Sequence, residues 1–233
     1  MVETALEALE YTSSSVGMSW LQLWLKRKVD NGLSCLCAIT GGVGLGKSYA
    51  AMKIGEMVDP TFDVSHVTFT VKDLLKLVNS EAPQGSVFVF DDAGLAAGSR
   101  EWYSTASKIF GWVSQSIRYK NFIIVITVPS ARFIESQSRD LITLHLISSN
   151  RKGQFVPYIP YKPPVLDSSQ RQAMLLNEFP RVVLNGKLVK VRRLSFPLPS
   201  PDLVKAYEDA KAAYLGRKYT TYIKRLEARE DEG

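Results

Sequence analysis

The sequence predicts an α/β fold, with a mostly parallel sheet covered by helices on both faces, then a β-hairpin and a long helix. Three observations predict it. Five short apolar runs, at 33–39, 67–70, 86–90, 122–128 and 141–147, alternate with stretches that suit helices. Such runs belong to strands buried on both faces, and helical crossovers between them make neighbouring strands parallel. A glycine-rich octapeptide, Gly41-Gly42-Val43-Gly44-Leu45-Gly46-Lys47-Ser48, joins the first run to the helix-compatible stretch 48–57. Two acids, Asp91 and Asp92, close the third run, at the sheet edge where ligands bind in such folds.

The octapeptide has the spacing Gly, four residues, Gly-Lys-Ser, in the strand–loop–helix setting that a phosphate-binding loop requires. Backbone N–H groups of the loop and the helix N-terminus point at an anion, and the helix dipole adds positive potential. Glycines let the chain approach phosphate oxygens closely. The segment Gly41, Gly42, Gly44, Leu45, Gly46, Lys47, Ser48 and Tyr49 is therefore the expected site for ATP. Lys47 is expected on the β- and γ-phosphates, and the Ser48 hydroxyl on Mg²⁺. Asp91 is the expected second Mg²⁺ residue, and Asp92 the carboxylate that orients and deprotonates an attacking water. The competing reading of the acid pair is a helix-capping turn.

From the N-terminus, 3–11 reads as a short helix, 12–15 as a polar linker, and 18–29 as an amphipathic helix. Trp20, Leu21, Leu23, Trp24 and Leu25 form its apolar side, and Asp30-Asn31-Gly32 ends it. Helices are expected at 71–78 and 102–119. After residue 150 the rhythm changes. The stretch 155–161 alternates and carries prolines, which suits an edge strand. The stretches 180–184 and 187–196, joined by Asn185-Gly186, read as a hairpin. Ser200-Pro201-Asp202 starts a long helix over 203–229, with Leu203, Tyr207, Ala210, Tyr214 and Leu215 on one side. The expected organisation is N-terminal helices (1–32), a core (33–150) and a basic appendage (151–233).

Of 233 residues, 45% are hydrophobic, enough for a core of ordinary size. Residues 1–150 carry 13 basic and 14 acidic side chains, and residues 151–233 carry 16 and 9. The C-terminal third thus holds the whole positive excess, which suits a polyanion such as DNA, or a solvated surface. Lys187, Lys190, Arg192 and Arg193 are the candidate contacts to backbone phosphates, with Lys190 and Arg192 on one strand face. Cys35 and Cys37, the only cysteines, share a strand face and read as small buried apolar groups. With only His66 and His145 besides, there is no zinc pattern. No run approaches the ~20 residues of a membrane span, and residues 1–10 hold three glutamates and no basic residue, unlike a secretory signal. A cytoplasmic location, in a host cell if the gene is viral or plasmid-borne, is the expectation.

The strand between the glycine-rich strand and the acid-bearing strand resembles the ASCE group of P-loop ATPases. That resemblance implies the sheet order 5-1-4-3-2. Across 33–150 the chain is similar to the zonula-occludens-toxin-like ATPases and their archaeal and viral relatives, near the FtsK–HerA translocases. The residues that carry it are Gly41 to Ser48, Phe90-Asp91-Asp92-Ala93-Gly94, Trp102-Tyr103-Ser104, Arg118-Tyr119-Lys120-Asn121, Thr127-Val128-Pro129-Ser130 and Ser138-Arg139-Asp140-Leu141. The resemblance implies ATP hydrolysis, a homo-oligomeric ring, and movement of DNA or a filament. Gly46, Lys47, Ser48, Asp91 and Asp92 carry over directly. Thr127 falls where a polar residue senses the γ-phosphate or the water, and a buried strand threonine is the other reading. Arg139, then Arg118, are the candidate arginines acting from a neighbouring subunit, with Arg132 a third. Asp92 stands where the family usually has Glu, and Thr127 where the translocases more often have Gln.

An oligomeric motor on DNA is the first functional expectation. An ATP-dependent helicase loader or switch acting on a protein partner is the second. A small-molecule kinase ranks below both, because no arginine-rich lid is evident. The Tyr-rich C-terminal helix is either an assembly module or part of the core.

Overall fold

The computed structural model describes residues 2–91, 120–130, 141–161, 176–184 and 186–230. The elements are α1 (Val2–Asp30), β1 (Cys35–Thr40), α2 (Lys47–Val58), β2 (Val67–Thr68), α3 (Val71–Val78), β3 (Val87–Phe90), β4 (Ile123–Val128) and β5 (Leu144–Ser148). They continue with β6 (Gln154–Tyr161), β7 (Leu176–Glu178), β8 (Arg181–Leu184), β9 (Lys187–Lys190), β10 (Leu194–Ser195) and a last helix, α4 (Pro201–Glu230). The expected helix at 102–119 lies outside the described residues.

The main sheet runs β10-β6-β5-β1-β4-β3-β2, and its core order 5-1-4-3-2 is the expected one. Strands β5, β1, β4, β3 and β2 are mutually parallel. Every residue of β1, β3 and β4 is buried, as continuous apolar runs in a doubly covered sheet must be. Alternate residues feed two cores. Cys35, Cys37, Ile39, Val87, Val89, Ile123 and Val125 meet α1, α2 and α4 on one face. Leu36, Ala38, Phe88, Phe90, Ile124 and Ile126 meet Leu74 and Val78 of α3 on the other. The two cysteines are buried and unbridged as expected, and burial pushes the Cys35 thiol up to about 11.

The N-terminal expectation is corrected. Residues 2–30 form one helix, with no linker at 12–15. Serines cost a helix only tenths of a kcal/mol, roughly, and no glycine or proline precedes Gly17 to break it. Gly17 is an approach point rather than a breaker. A Cβ there would lie 2.8 Å from the Arg193 carbonyl oxygen and 2.9 Å from Leu194 Cδ2, where α1 crosses β10. Leu21 and Leu25 are fully buried, whereas Leu23, two residues from each, points away and is 68% exposed. The helix ends as expected. Leu33 N donates to Lys28 O and Gly32 N to Val29 O, with Gly32 at φ 66°.

The C-terminal third also differs from expectation. The strand β6 is not an edge strand. It pairs antiparallel with β5 on one side, and with β10 and β7 on the other. Its outer partners cover 154–155 and 159–161, so Pro157 falls in the gap between them, where no outer ladder bond is needed. The sheet therefore runs on past the expected boundary at residue 150. The hairpin is shorter than expected: β8 pairs with β9 only from Arg181↔Lys190 to Leu184↔Lys187. Val191 then turns inward, and Leu194–Ser195 joins the main sheet against β6. Lys190 and Arg192 therefore do not share a strand face. Arg192 lies 5.7 Å over the Phe179 ring instead. Asn185 lies outside the described residues.

The helix α4 packs on the core with its first half. Leu203 and Tyr207 are buried, and Tyr214 stacks on Phe69 at 5.1 Å. The second half carries exposed Tyr219, Tyr222, Ile223 and Leu226.

Candidate active site

The loop 41–46 leaves the C-terminal end of β1 and enters α2. Gly46, in the left-handed region at φ 88°, precedes the helix's first residue, so Lys47 and Ser48 open the first turn. Gly41 has φ 145°, and a Cβ there would overlap the Ser148 side chain at the end of β5. The loop is braced from outside by the β5–β6 turn, where Gly153 N donates to Leu45 O at 3.0 Å. Lys47 is buried, and its Nζ donates to Gly42 O at 2.8 Å, across the loop. Beneath the loop, Thr40 Oγ1 and His145 Nε2 are 2.9 Å apart. Burial holds the His145 imidazole down at about 4, so the ring is neutral near pH 7.

Asp91 follows β3 and lies across β4 from the loop, because β4 sits between β1 and β3. Its side chain is fully buried. Thr127 Oγ1, at the end of β4, donates to Oδ1 at 2.8 Å. Tyr207 Oη donates to Oδ2 at 2.6 Å and Lys211 Nζ to the same oxygen at 2.9 Å. The Ser48 hydroxyl is a further polar neighbour of Asp91 and Tyr207. Burial pushes the Asp91 carboxyl up, but the Lys211 ammonium and the hydroxyls of Tyr207 and Ser48 outweigh it, and the group stays below its ordinary value. Burial and the neighbouring carboxylate push the Tyr207 phenol up.

The structure thus brings together Gly41, Gly42, Gly44, Leu45, Gly46, Lys47, Ser48, Asp91 and Thr127. Thr127 touches Asp91 directly, so the buried hydroxyl orients the carboxylate. Tyr49 sits in the first turn of α2, but its hydroxyl is turned to α4, donating to Glu208 Oε1 at 2.6 Å. Asp92, Arg118, Arg132 and Arg139 lie outside the described residues. Tyr207 and Lys211 are site neighbours that the sequence reading did not place. A signal was there: Lys211 interrupts the stripe Leu203, Tyr207, Tyr214 at helical spacing, and a charge on a buried stripe needs a buried partner.

The residues present suit a magnesium nucleotide. Asp91 and Ser48 are hard oxygen donors, the kind Mg²⁺ takes. The loop's first glycine has no room for a side chain, because Ser148 of β5 stands where its Cβ would be. Among the described residues, no cluster of His, Cys, Asp and Glu could hold a metal by itself. Likewise, none of the described helices is long and apolar enough to cross a membrane.

Strand order, loop and acid define an α/β fold of the P-loop NTPase type. Solved structures similar to the chain include the following two. One is the N-terminal domain of zonular occludens toxin from Neisseria meningitidis, at 15% identity and TM-score 0.39, covering 75% of this chain and 97% of that one. The other is ATPases 2 and 3 of EssC from Geobacillus thermodenitrificans, at 9% identity and TM-score 0.42, covering 80% of this chain and 44% of that one. No family model matches the sequence, and no curated protein matches it.

Proposed function

We propose that the chain is an ATP hydrolase of the ASCE type, working as an oligomeric motor on DNA. The observation that carries the enzymatic part is the juxtaposition of two halves. A phosphate loop ends in Lys47 and Ser48, and a buried carboxylate, Asp91, closes the strand that lies one beyond the intervening strand. Loop amides and Lys47 hold the β- and γ-phosphates, while Ser48 and Asp91 hold Mg²⁺. Mg²⁺ held there would supply positive charge to the phosphate oxygens. Thr127 keeps Asp91 aimed. Asp92 follows Asp91 directly in the chain, and is the candidate base for the attacking water. Arg139 or Arg118 of a neighbouring copy supplies the remaining positive charge.

The DNA part rests on charge. Arg181, Lys187, Lys190, Arg192 and Arg193 are all exposed, in a third of the chain that holds the entire positive excess. Such a surface binds phosphate backbones without reading sequence. The second reading, an ATP-dependent loader or switch that acts on a protein partner, is favoured by one observation: α4 docks on Asp91 itself.

The test is ATP turnover by wild type and Lys47→Ala, each with and without double-stranded DNA at low salt. The motor reading expects turnover that DNA raises and that Lys47→Ala abolishes. Lys47-dependent turnover indifferent to DNA favours the switch. Turnover that survives Lys47→Ala removes both.

A further inference from the structure

The carboxylate that the nucleotide reading assigns to Mg²⁺ is already engaged, and by a helix 120 residues away in sequence. We propose that α4 occludes the metal half of the site, so that docking of α4 and binding of a magnesium nucleotide exclude one another. This inference rests on the reading of the 41–48 loop and Asp91 as a nucleotide site.

Both carboxylate oxygens of Asp91 are occupied. Oδ1 accepts from Thr127, which belongs to the same sheet and stays with it. Oδ2 accepts from Tyr207 and Lys211, both of α4. The Lys211 ammonium is a compact cation in contact with the carboxylate, and a divalent ion beside the same oxygen would repel it. Tyr207 donates to Oδ2 and itself accepts from Lys211 Nζ at 2.9 Å, so the two α4 side chains hold that oxygen as a pair. A metal that takes Oδ2 must therefore displace both α4 side chains.

The two leave differently. The Lys211 side chain is 27% exposed and has a four-carbon stem, so it can swing into solvent. Tyr207 cannot. It is 3% exposed, and its ring lies edge-on to Tyr49 at 6.2 Å and against Phe69 at 6.0 Å. Freeing Oδ2 from Tyr207 thus moves the α4 backbone, and with it the contacts to α2 from Glu208 of α4 and from Ser200 just before it. A helix rises about 1.5 Å per residue, so displacement at Tyr207 is carried to the exposed Tyr219, Tyr222 and Leu226. Coupling is reciprocal: whatever captures the outer half of α4 also favours nucleotide binding.

The probe is Mn²⁺, read by electron paramagnetic resonance, in the presence of ADP. Wild type, Lys211→Met and Lys211→Arg are compared, with Lys47→Ala as the control for nucleotide binding. Removing the competing charge should tighten Mn²⁺–ADP binding by about tenfold in Lys211→Met, while Lys211→Arg, which keeps the cation, stays near wild type. A second measurement needs no variant: hydrogen exchange of wild-type amides 203–215 should speed up when Mg²⁺ and ADP are added. Mn²⁺ affinity that is unchanged or weaker in Lys211→Met overturns the occlusion, as does slower or unchanged exchange in α4. If ADP binding is Lys47-dependent and these results are flat, only the occlusion fails. If ADP binds to none of the four proteins, Lys211→Met included, the nucleotide reading fails and takes the occlusion with it.

Discussion

The two ends of the candidate site are built in opposite ways. The phosphate end is local: eight consecutive residues, a strand before them and a helix after them, with outside support from Ser148 and Gly153. The metal end is assembled from Ser48, Asp91, Thr127, Tyr207 and Lys211, which come from four separate segments. Backbone shape makes the first, and side-chain chemistry across long sequence separations makes the second. The first should fail through strain at a single residue. The second should fail by losing hydrogen bonds one at a time.

The largest effect expected is at the phosphate end. Gly41→Ala places a Cβ where Ser148 already is, at φ 145°, which side chains rarely adopt. Backbone strain and overlap each cost on the order of 1–3 kcal/mol, so a loss of about 3 kcal/mol is expected in urea melts. The pair Gly41→Ala with Ser148→Gly sharpens the comparison. Removing the overlap should return part of the loss, and the part that stays is the dihedral. A single variant as stable as wild type would break the claim that the loop is shaped by its backbone.

Thr127→Val is the matching change at the metal end, and a smaller one. The side chains are close in shape, so the variant deletes a hydroxyl and leaves Asp91 Oδ1 short of one donor in a buried setting. Hydrogen bonds to charged groups contribute about 1.5–3 kcal/mol, so a loss of about 2 kcal/mol is expected, with Thr127→Ser close to wild type. Equal stability of all three proteins would mean that Thr127 is only a buried strand residue.

How much was legible follows the same division. The loop and the acid rest on signals within a few residues, the strands on apolar runs that can be counted, and the strand order on the family resemblance. What was not legible depended on which distant surfaces meet. Nothing near Gly17 announces that β10 will pass within 3 Å of where its Cβ would be. The prolines of β6 suggest an edge, and the edge is real only at Pro157, between two short partners. Leu23 was grouped with Leu21 and Leu25 by composition, though helical geometry sets it on the opposite side. Lys211 is the sharpest case. Its place on a buried stripe was visible, but the partner that satisfies it, Asp91, lies 120 residues away, just past the end of β3.

The smallest effect is expected at the far end of α4, and it separates the two halves of that helix. Leu203 and Tyr207 are buried against the core, while Tyr219, Tyr222 and Leu226 are 64%, 62% and 49% exposed. Exposed positions away from caps and pairs change stability by no more than about 0.5 kcal/mol each. Replacing all three with serine should therefore leave the melting temperature of dilute protein nearly unchanged, whereas Leu203→Ala opens the core and should lower it by several degrees. The comparison is repeated at high protein concentration. If the wild-type melting temperature rises with concentration and that of the triple variant does not, the outer half of α4 is packing on another copy, which a homo-oligomer would require. A triple variant as destabilised as Leu203→Ala at every concentration would mean that the outer half belongs to the core of its own chain, and that the division of α4 is wrong.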